Sequence, residues 1–67
     1  MNNNKMREIR KEKGITLGEL SISTGISVGY LCHLERGTRK NPSMHIMALI
    51  AEGLNKTIIE VFFSNLK

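Results

Sequence analysis

The sequence predicts an all-α fold of five short helices in a single domain over residues 1–67, and three observations support it. No segment alternates apolar and polar residues as a half-buried strand does. The chain is 40% hydrophobic but has two Phe, one Tyr and no Trp, so its core must be built from Ile, Leu, Met and Val, which favours a small helical bundle. Residues that commonly end helices divide the chain into helix-sized segments, namely Gly14, Gly25, Gly37 and Asn55.

The first two helices have recognisable boundaries. Helix one is expected over about residues 5–13, with Arg10 unexpectedly on the face of its apolar residues. Helix two is expected to follow Thr16, because Thr16 and Glu19 have the spacing of a reciprocal capping box. It should end before Gly25, which adopts a left-handed backbone conformation at little cost.

The other three helices are bounded in the same way. Helix three is expected to have Ser27 as its N-cap and to run to Arg36. Helix four should begin after Ser43, and helix five should open with a second capping box formed by Thr57 and Glu60. The chain therefore predicts five helices connected by short turns.

Helix two, the turn at residues 25–27 and helix three have the spacing of a helix-turn-helix. In that arrangement the second helix can enter the major groove of DNA, and Ile26 would hold the turn to the core. Glycine-terminated amphipathic helices also occur in unrelated bundles, so the spacing alone leaves both interpretations open.

Charge points to a polyanionic partner. Ten basic and six acidic residues give a net charge of +4, although a small protein can also be basic for solubility alone. The basic residues concentrate at the start and in the middle of the chain, at Lys5, Arg7, Arg10, Lys11, Lys13, Arg36, Arg39 and Lys40. Nucleic acid is the partner that this distribution favours.

The composition also excludes several classes of protein. One Cys and one Pro exclude a disulfide framework and a Cys-based zinc module, and they indicate a reducing compartment, for which the cytoplasm is the default. No window approaches 18 apolar residues, and the basic N-terminus lacks the apolar region of a secretory signal. We therefore expect no interaction with a membrane.

Beyond these features, the residue pattern resembles the Cro and phage-repressor (Xre-like) helix-turn-helix family over about residues 6–63. The matching residues are Gly14, Thr16, Glu19, Leu20, Gly25, Ile26, Ser27, Leu31, Leu34, Glu35, Gly37, Asn41, Pro42, Ser43, Ile50, Ala51, Leu54 and Asn55. The resemblance implies a five-helix lambda-repressor-like fold that binds double-stranded DNA, usually as a dimer, and regulates transcription.

The resemblance also explains Arg10. In the family an arginine at its place forms a largely buried ion pair with a glutamate at the place of Glu35, which ties helix one to helix three. A buried charge without a partner would be costly, so both residues should be present, as they are. The alternative is that Arg10 and Glu35 are unrelated surface charges.

The resemblance places the base-reading residues on helix three. The family positions that most often touch base edges hold Val28, Gly29 and His33, and a helical wheel adds Cys32 as a small groove-facing residue. Val28 and Gly29 cannot make bidentate contacts, but valine can pack on a thymine methyl group and glycine allows a close approach. His33 is then the best polar reader, unless it simply faces solvent.

Candidates for contact with the DNA backbone surround that helix. They are Thr16, Leu17, Ser27, Tyr30, Arg36, Thr38, Arg39, Lys40 and Asn41. Leu17 stands where the family commonly has glutamine, which weakens one contact. Tyr30 can either cover the core with its ring or reach a phosphate with its hydroxyl.

Helix four is apolar almost all round. The family core positions are filled by Met44, Met47, Ile50, Ala51 and Leu54. That leaves four surplus apolar residues, Ile46, Leu49, Ile59 and Phe63, which we expect to contribute to a homodimer interface. Alternatively the C-terminal FSNLK, residues 63–67, folds back over some of them. Residues 64–67 are expected to form a tail that is flexible or contacts the dimer partner. Residues 1–4 are expected to form a flexible arm or to contact the minor groove.

We therefore expect a sequence-specific transcriptional regulator, a repressor acting as a homodimer on an inverted repeat. The alternative is a protein-interaction or antitoxin-like adaptor on the same scaffold, which the apolar readers favour. No catalytic set of residues is recognisable, so enzymatic activity is not expected. His33 and His45 lie on different helices without a carboxylate pattern, so we expect no metal, no cofactor and no small-molecule ligand.

Overall fold

The computed structural model describes residues 4–38 and 42–63, and these ranges contain five α-helices and no strand. The helices are α1 (Met6–Glu12), α2 (Leu17–Thr24), α3 (Val28–Arg36), α4 (Met44–Gly53) and α5 (Ile58–Phe62). The predicted all-α architecture of five helices is confirmed.

Side-chain caps fix the starts of α2 to α5, as the sequence predicted. Thr16 Oγ1 accepts a hydrogen bond from the Glu19 amide (3.0 Å), and the Glu19 carboxylate accepts one from the Thr16 amide (2.8 Å). Thr57 and Glu60 repeat this reciprocal arrangement at α5. Since each box satisfies two amides that a helix start leaves without an intrahelical partner, residues three apart suffice to define both boundaries.

The core lies where the five helices meet. Each helix contributes at least one fully buried side chain, the set being Met6, Leu20, Leu31, Leu34, Ile50, Leu54 and Val61. Helix α2 packs against both α3 and α4, and α5 packs against α4 and α1. The Lys5 amide also donates to the Val61 carbonyl (2.7 Å), which joins the start of the described chain to α5.

The apolar residues of α4 are distributed differently from the sequence expectation. Met44, expected in the core, is 61% exposed, whereas Ile46 and Leu49, expected to be surplus, are half-buried and pack against the core. The buried residues of α4, Ile50 and Ala51, lie in its second half. Met44 is the first residue of the helix and lies more than one turn before these buried residues. Its position at the end of the helix accounts for its exposure.

Asn4 belongs to the folded domain, which corrects the expected limits of the N-terminal arm. Its Nδ2 donates to the Leu34 carbonyl (2.9 Å), and its Oδ1 accepts from the Met6 amide (3.1 Å). The side chain therefore links the first residue of α1 to α3. Residues 1–3 and the tail at 64–67 lie outside the described residues. Within the ranges that are described, no helix has the length and apolar character needed to cross a bilayer.

Candidate nucleic-acid interface

Helices α2 and α3 are joined by a turn that side-chain hydroxyls hold in place. Gly25 has a φ of 77°, in the left-handed region that glycine tolerates. Ser21 Oγ donates to the Ile26 carbonyl (2.6 Å), and Thr24 Oγ1 accepts from the Ile26 amide (3.2 Å) while donating to the Leu20 carbonyl (2.8 Å). The turn thus fixes the orientation of α3 relative to α2.

Thr24 is a residue whose role the sequence reasoning missed. Its side chain is buried and bridges the last turn of α2 to the turn residue Ile26. The available signal was a hydroxyl-bearing residue directly before the glycine that ends a helix. A buried hydroxyl needs partners, and here the backbone of the turn provides them.

Helix α3 presents an exposed stripe to solvent. Gly29, His33 and Arg36 are exposed and lie at i, i+4 and i+7, so they share one face, with Val28 exposed beside them. The opposite face carries the buried Leu31 and Leu34. The structure therefore brings three of the four expected base-reading residues, Val28, Gly29 and His33, to one side of the helix.

Cys32, the fourth expected base-reading residue, lies between Val28 and Arg36 on the helical wheel of α3 but is less exposed than either of them. It is half-buried, and it is close enough to Arg10 to contribute to a raised pKa of the guanidinium, after the larger contribution of the hydrogen bond from Arg10 to Glu35.

Arg10 and Glu35 form a two-pronged ion pair. Arg10 Nε lies 2.7 Å from Glu35 Oε2, and Nη2 lies 3.2 Å from Oε1. The side chains are only 12% and 6% exposed, so the ion pair that the resemblance implied is present and largely buried. Arg10 Nη1 also donates to the Ile15 carbonyl (2.9 Å), which attaches the segment before α2 to the same pair.

His33 and Thr38 are in contact at the end of α3. His33 Nδ1 lies 2.8 Å from Thr38 Oγ1, and both side chains are exposed. The Thr38 hydroxyl is also 3.2 Å from the His33 carbonyl oxygen, which accepts the Thr38 amide at 3.0 Å. The structure therefore places Thr38, a candidate for phosphate contact, against a candidate base reader.

The remaining candidates for contact with the DNA backbone lie in several different environments. The Thr16 amide donates to Glu19 within the capping box, and Leu17 is half-buried against the core. Ser27 Oγ accepts from the Tyr30 amide (3.2 Å) as the N-cap of α3, and the half-buried Tyr30 packs against the core. Arg36 is exposed at the end of α3. Arg39, Lys40 and Asn41 lie outside the described residues.

Of the four residues expected at a dimer interface, two remain exposed. Ile59 is 65% exposed and Phe63 is 37% exposed, whereas Ile46 and Leu49 pack against their own core. Ile22, which the sequence reasoning did not single out, is 86% exposed on α2. Among residues 4–38 and 42–63, no three His, Cys, Asp or Glu side chains cluster so that they could hold a metal ion.

The buried ion pair, the capped and hydroxyl-braced turn and the exposed face of α3 together define a helix-turn-helix domain. A family model described as helix-turn-helix matches residues 6–61, and the chain belongs to this family.

Relatives from bacteria share this domain. The chain is 33% identical over 57 residues to SlrR, an HTH-type transcriptional regulator of Bacillus subtilis (strain 168), covering 85% of this chain and 38% of SlrR. It is 32% identical over 54 residues to the regulator SinR of the same strain, covering 81% of this chain and 49% of SinR. The chain thus spans less than half the length of these two relatives.

A solved structure is similar over most of the domain. The crystal structure of the clp gene regulator ClgR from C. glutamicum matches with a TM-score of 0.74 and 36% sequence identity, covering 82% of this chain and 70% of that one. All three similar proteins are named as regulators, and none is named as an enzyme.

Proposed function

We propose that the protein is a sequence-specific, DNA-binding transcriptional regulator whose helix α3 lies in the major groove. The observation that carries this proposal is the exposed stripe of Gly29, His33 and Arg36 on a helix whose opposite face is buried. A helix held in this way by a helix-turn-helix can meet base edges with one face while the rest of the domain stays clear of the groove.

Some residues of this face are suited to contact bases, and others are suited to contact the DNA backbone. Val28 can pack on a thymine methyl group, and Gly29 has open space around the position of a Cβ, so a base edge can come close. His33 supplies a polar contact to a base. Arg36 is an exposed cation at the helix end, and the basic residues Arg39 and Lys40 follow it in sequence, so this region can grip phosphates.

The same proposal includes a two-fold homodimer. Ile59 on α5 and Phe63, the residue directly after that helix, remain exposed although they are large and apolar. Burying them against a second copy would remove apolar surface from water. A two-fold pair would place two α3 helices about one DNA turn apart, roughly 34 Å, and would read an inverted repeat.

We further propose that the protein acts in the cytoplasm and represses transcription. Repression requires only that a bound dimer occupy DNA that another protein needs, whereas activation requires an additional favourable contact with that protein. The single unpaired cysteine is consistent with a reducing compartment.

Selection from random double-stranded DNA, followed by mobility-shift assays, tests the proposal. The protein should enrich a two-fold symmetric site, and the logarithm of its affinity should fall with the logarithm of salt concentration at a slope of about 0.9 per phosphate contacted. Arg36→Ala should weaken binding to all sequences alike. Recovery of no preferred sequence, with only diffuse and salt-sensitive retention, would overturn the proposal.

A protein-interaction adaptor is the second candidate, and Ile22 is the observation that favours it. Its side chain is 86% exposed on α2, and Val28 on the neighbouring helix is an exposed apolar residue as well. An antitoxin-like adaptor would use such residues to contact another protein. The selection experiment separates the two candidates, because an adaptor has no reason to enrich a symmetric DNA site.

A further inference from the structure

The contacts between His33 and Thr38 restrict the histidine ring. Thr38 Oγ1 lies 2.8 Å from His33 Nδ1 and 3.2 Å from the His33 carbonyl oxygen. The Thr38 amide donates to that same carbonyl at 3.0 Å, so the backbone of α3 holds the hydroxyl next to the ring. The imidazole is thus anchored through Nδ1 on an otherwise exposed surface of the helix.

Proton counting distinguishes two arrangements of these contacts. A hydroxyl has one proton, and a carbonyl oxygen can only accept. If Thr38 donates to the carbonyl, Nδ1 must carry a proton and donate to the hydroxyl oxygen. If Thr38 donates to Nδ1 instead, two oxygens face each other at 3.2 Å without a proton between them. Only the first arrangement makes both contacts hydrogen bonds, with the His33 carbonyl accepting from the Gly37 and Thr38 amides as well.

We propose that Thr38 is a positioning residue that fixes the orientation of His33 and its Nδ1–H tautomer, so that the neutral ring presents Nε2 to DNA as a hydrogen-bond acceptor. The tautomer of a histidine is set by the hydrogen bond that its other nitrogen makes, which here is the contact with Thr38. This inference rests on the proposed function, because the partner of Nε2 is a base in the major groove.

An acceptor in the major groove selects one class of base. Adenine and cytosine present an exocyclic amino group there, whereas guanine and thymine present acceptor oxygens. His33 therefore prefers an amino base, adenine or cytosine, over a keto base on the strand that it faces. A histidine presenting Nε2–H would have the opposite preference.

The tautomer can be measured in the free protein. In alkaline buffer, where imidazoles are neutral, long-range ¹H–¹⁵N correlation spectra of the wild type should show a protonated Nδ1 and an unprotonated Nε2 for His33. Thr38→Val, which removes the hydroxyl but keeps the shape, should shift His33 toward the Nε2–H form. His45, the other histidine of the chain, lies exposed on α4 and is the internal control, so its signals should not change. An Nε2–H form in the wild type would overturn the inference without any DNA experiment.

Selected DNA sites test the consequence for recognition. Thr38→Val should lower the preference for an amino base at one position of each half-site by about threefold to tenfold, the scale of one hydrogen bond. Thr38→Ser should restore it. In a His33→Ala background, Thr38→Val should cause no further change at that position, because Thr38 acts through the ring.

The outcomes separate this inference from the proposed function. If the wild type enriches no site, both are wrong. If it enriches a symmetric site but Thr38→Val weakens all sequences equally, Thr38 contacts only the backbone, and this inference alone is wrong. A keto base at the position that His33→Ala relaxes would also overturn it.

Discussion

Arg10 joins three parts of the domain through one guanidinium group. It contacts Glu35 on α3 with two nitrogens and the Ile15 carbonyl before α2 with the third. Both charged side chains are largely buried, so each depends on the other for compensation. The position of α3, and with it the exposed stripe, therefore depends on a side chain that lies outside the helix-turn-helix itself.

Replacing Arg10 alone should destabilise the protein strongly. Arg10→Met keeps much of the aliphatic packing but leaves the Glu35 carboxylate buried without its cation, and we expect a loss of about 3 kcal/mol or more in the free energy of unfolding. Urea denaturation followed by circular dichroism measures this loss. Lys11→Met, which removes an exposed cation from the same helix, is the control and should change stability by less than about 0.5 kcal/mol.

A double variant separates the loss of the ion-pair attraction from the cost of leaving the Glu35 carboxylate buried without a cation. Arg10→Met combined with Glu35→Leu replaces both ends of the pair by apolar groups, so it should recover much of the stability lost in Arg10→Met. Equal stability of Arg10→Met and the wild type would show that the ion pair does not anchor α3.

At the scale of elements, α2 and α4 contact each other at Gly53, a residue of α4 that has no side chain. A Cβ built at Gly53 would lie 2.9 Å from both Leu20 Cδ1 and Thr24 Cγ2. Leu20 is fully buried, and Thr24 is held by hydrogen bonds on both sides of the turn, so neither can move easily. The glycine therefore allows α4 to approach the end of α2, directly behind the turn of the helix-turn-helix.

Gly53→Ala tests this close approach. Overpacking costs about 1 to 3 kcal/mol, and the better helix propensity of alanine offsets up to about 1 kcal/mol, so we expect a net loss of about 1 kcal/mol. Gly18→Ala is the matched control, because the nearest atom to its Cβ would be Thr16 Oγ1 at 3.8 Å. That variant should be neutral or slightly stabilised. A thermal melt of Gly53→Ala at or above the wild-type midpoint would contradict the packing argument.

The capping box of α5 predicts a pH dependence of stability. Hydrogen bonds from the Thr57 backbone, and then from its side chain, lower the pKa of Glu60 below the ordinary value of 4.5. Because the pKa is lower in the folded state than in the unfolded chain, this stabilisation is complete above the unfolded value and is lost as the pH falls through the folded value. The ionised carboxylate therefore supports α5 at neutral pH.

Glu60→Gln should remove that dependence while keeping an oxygen that can accept the capping hydrogen bond. The wild type should have the higher melting temperature near pH 7, and the difference should shrink as the pH falls toward about 3. Melting curves of both proteins at matched ionic strength measure it. A difference that stays constant over this range would show that the ionised form is not what stabilises the box.

The helix boundaries could be predicted from the sequence because capping signals act over three or four residues. The Thr16 and Thr57 boxes and the glycine at position 25 needed no knowledge of the rest of the chain. The buried face of α4 could not be predicted in the same way, since it depends on where other helices pack, and Met44 was consequently misplaced. Asn4 was misplaced for the same reason, because its environment is set by α1 and α3 together.

The candidate site was predictable to different degrees for similar reasons. The exposed positions of Val28, Gly29 and His33 follow from the helical period once Leu31 and Leu34 are assigned to the core. The contact of Thr38 with His33 depends on how the chain leaves α3, where the Gly37 backbone has a φ of 77°. No periodic pattern encodes that exit, so Thr38 was assigned to the DNA backbone on its position alone.

At the scale of the whole molecule, the net charge of +4 and the exposed apolar residues Ile59 and Phe63 serve one proposed assembly. A single small domain makes few phosphate contacts and reads few base pairs. Two copies linked through α5 would engage two half-sites at once, and the second contact would then be intramolecular. Affinity for an inverted repeat should therefore depend on residues that never touch DNA.

Ile59→Lys should disrupt this assembly. The residue is 65% exposed, so a lysine leaves the monomer fold intact but places two like charges near each other at a two-fold interface. Light scattering at high micromolar concentration should give twice the chain mass of 7.5 kDa for the wild type and the single mass for the variant. Ile22→Lys makes the same change at an exposed position on α2 and should remain dimeric. Ile59→Lys should also bind the symmetric site about a hundredfold more weakly while retaining its affinity for an isolated half-site. A wild-type protein that is monomeric at these concentrations would contradict the assembly, and so would a variant that loses both kinds of binding equally.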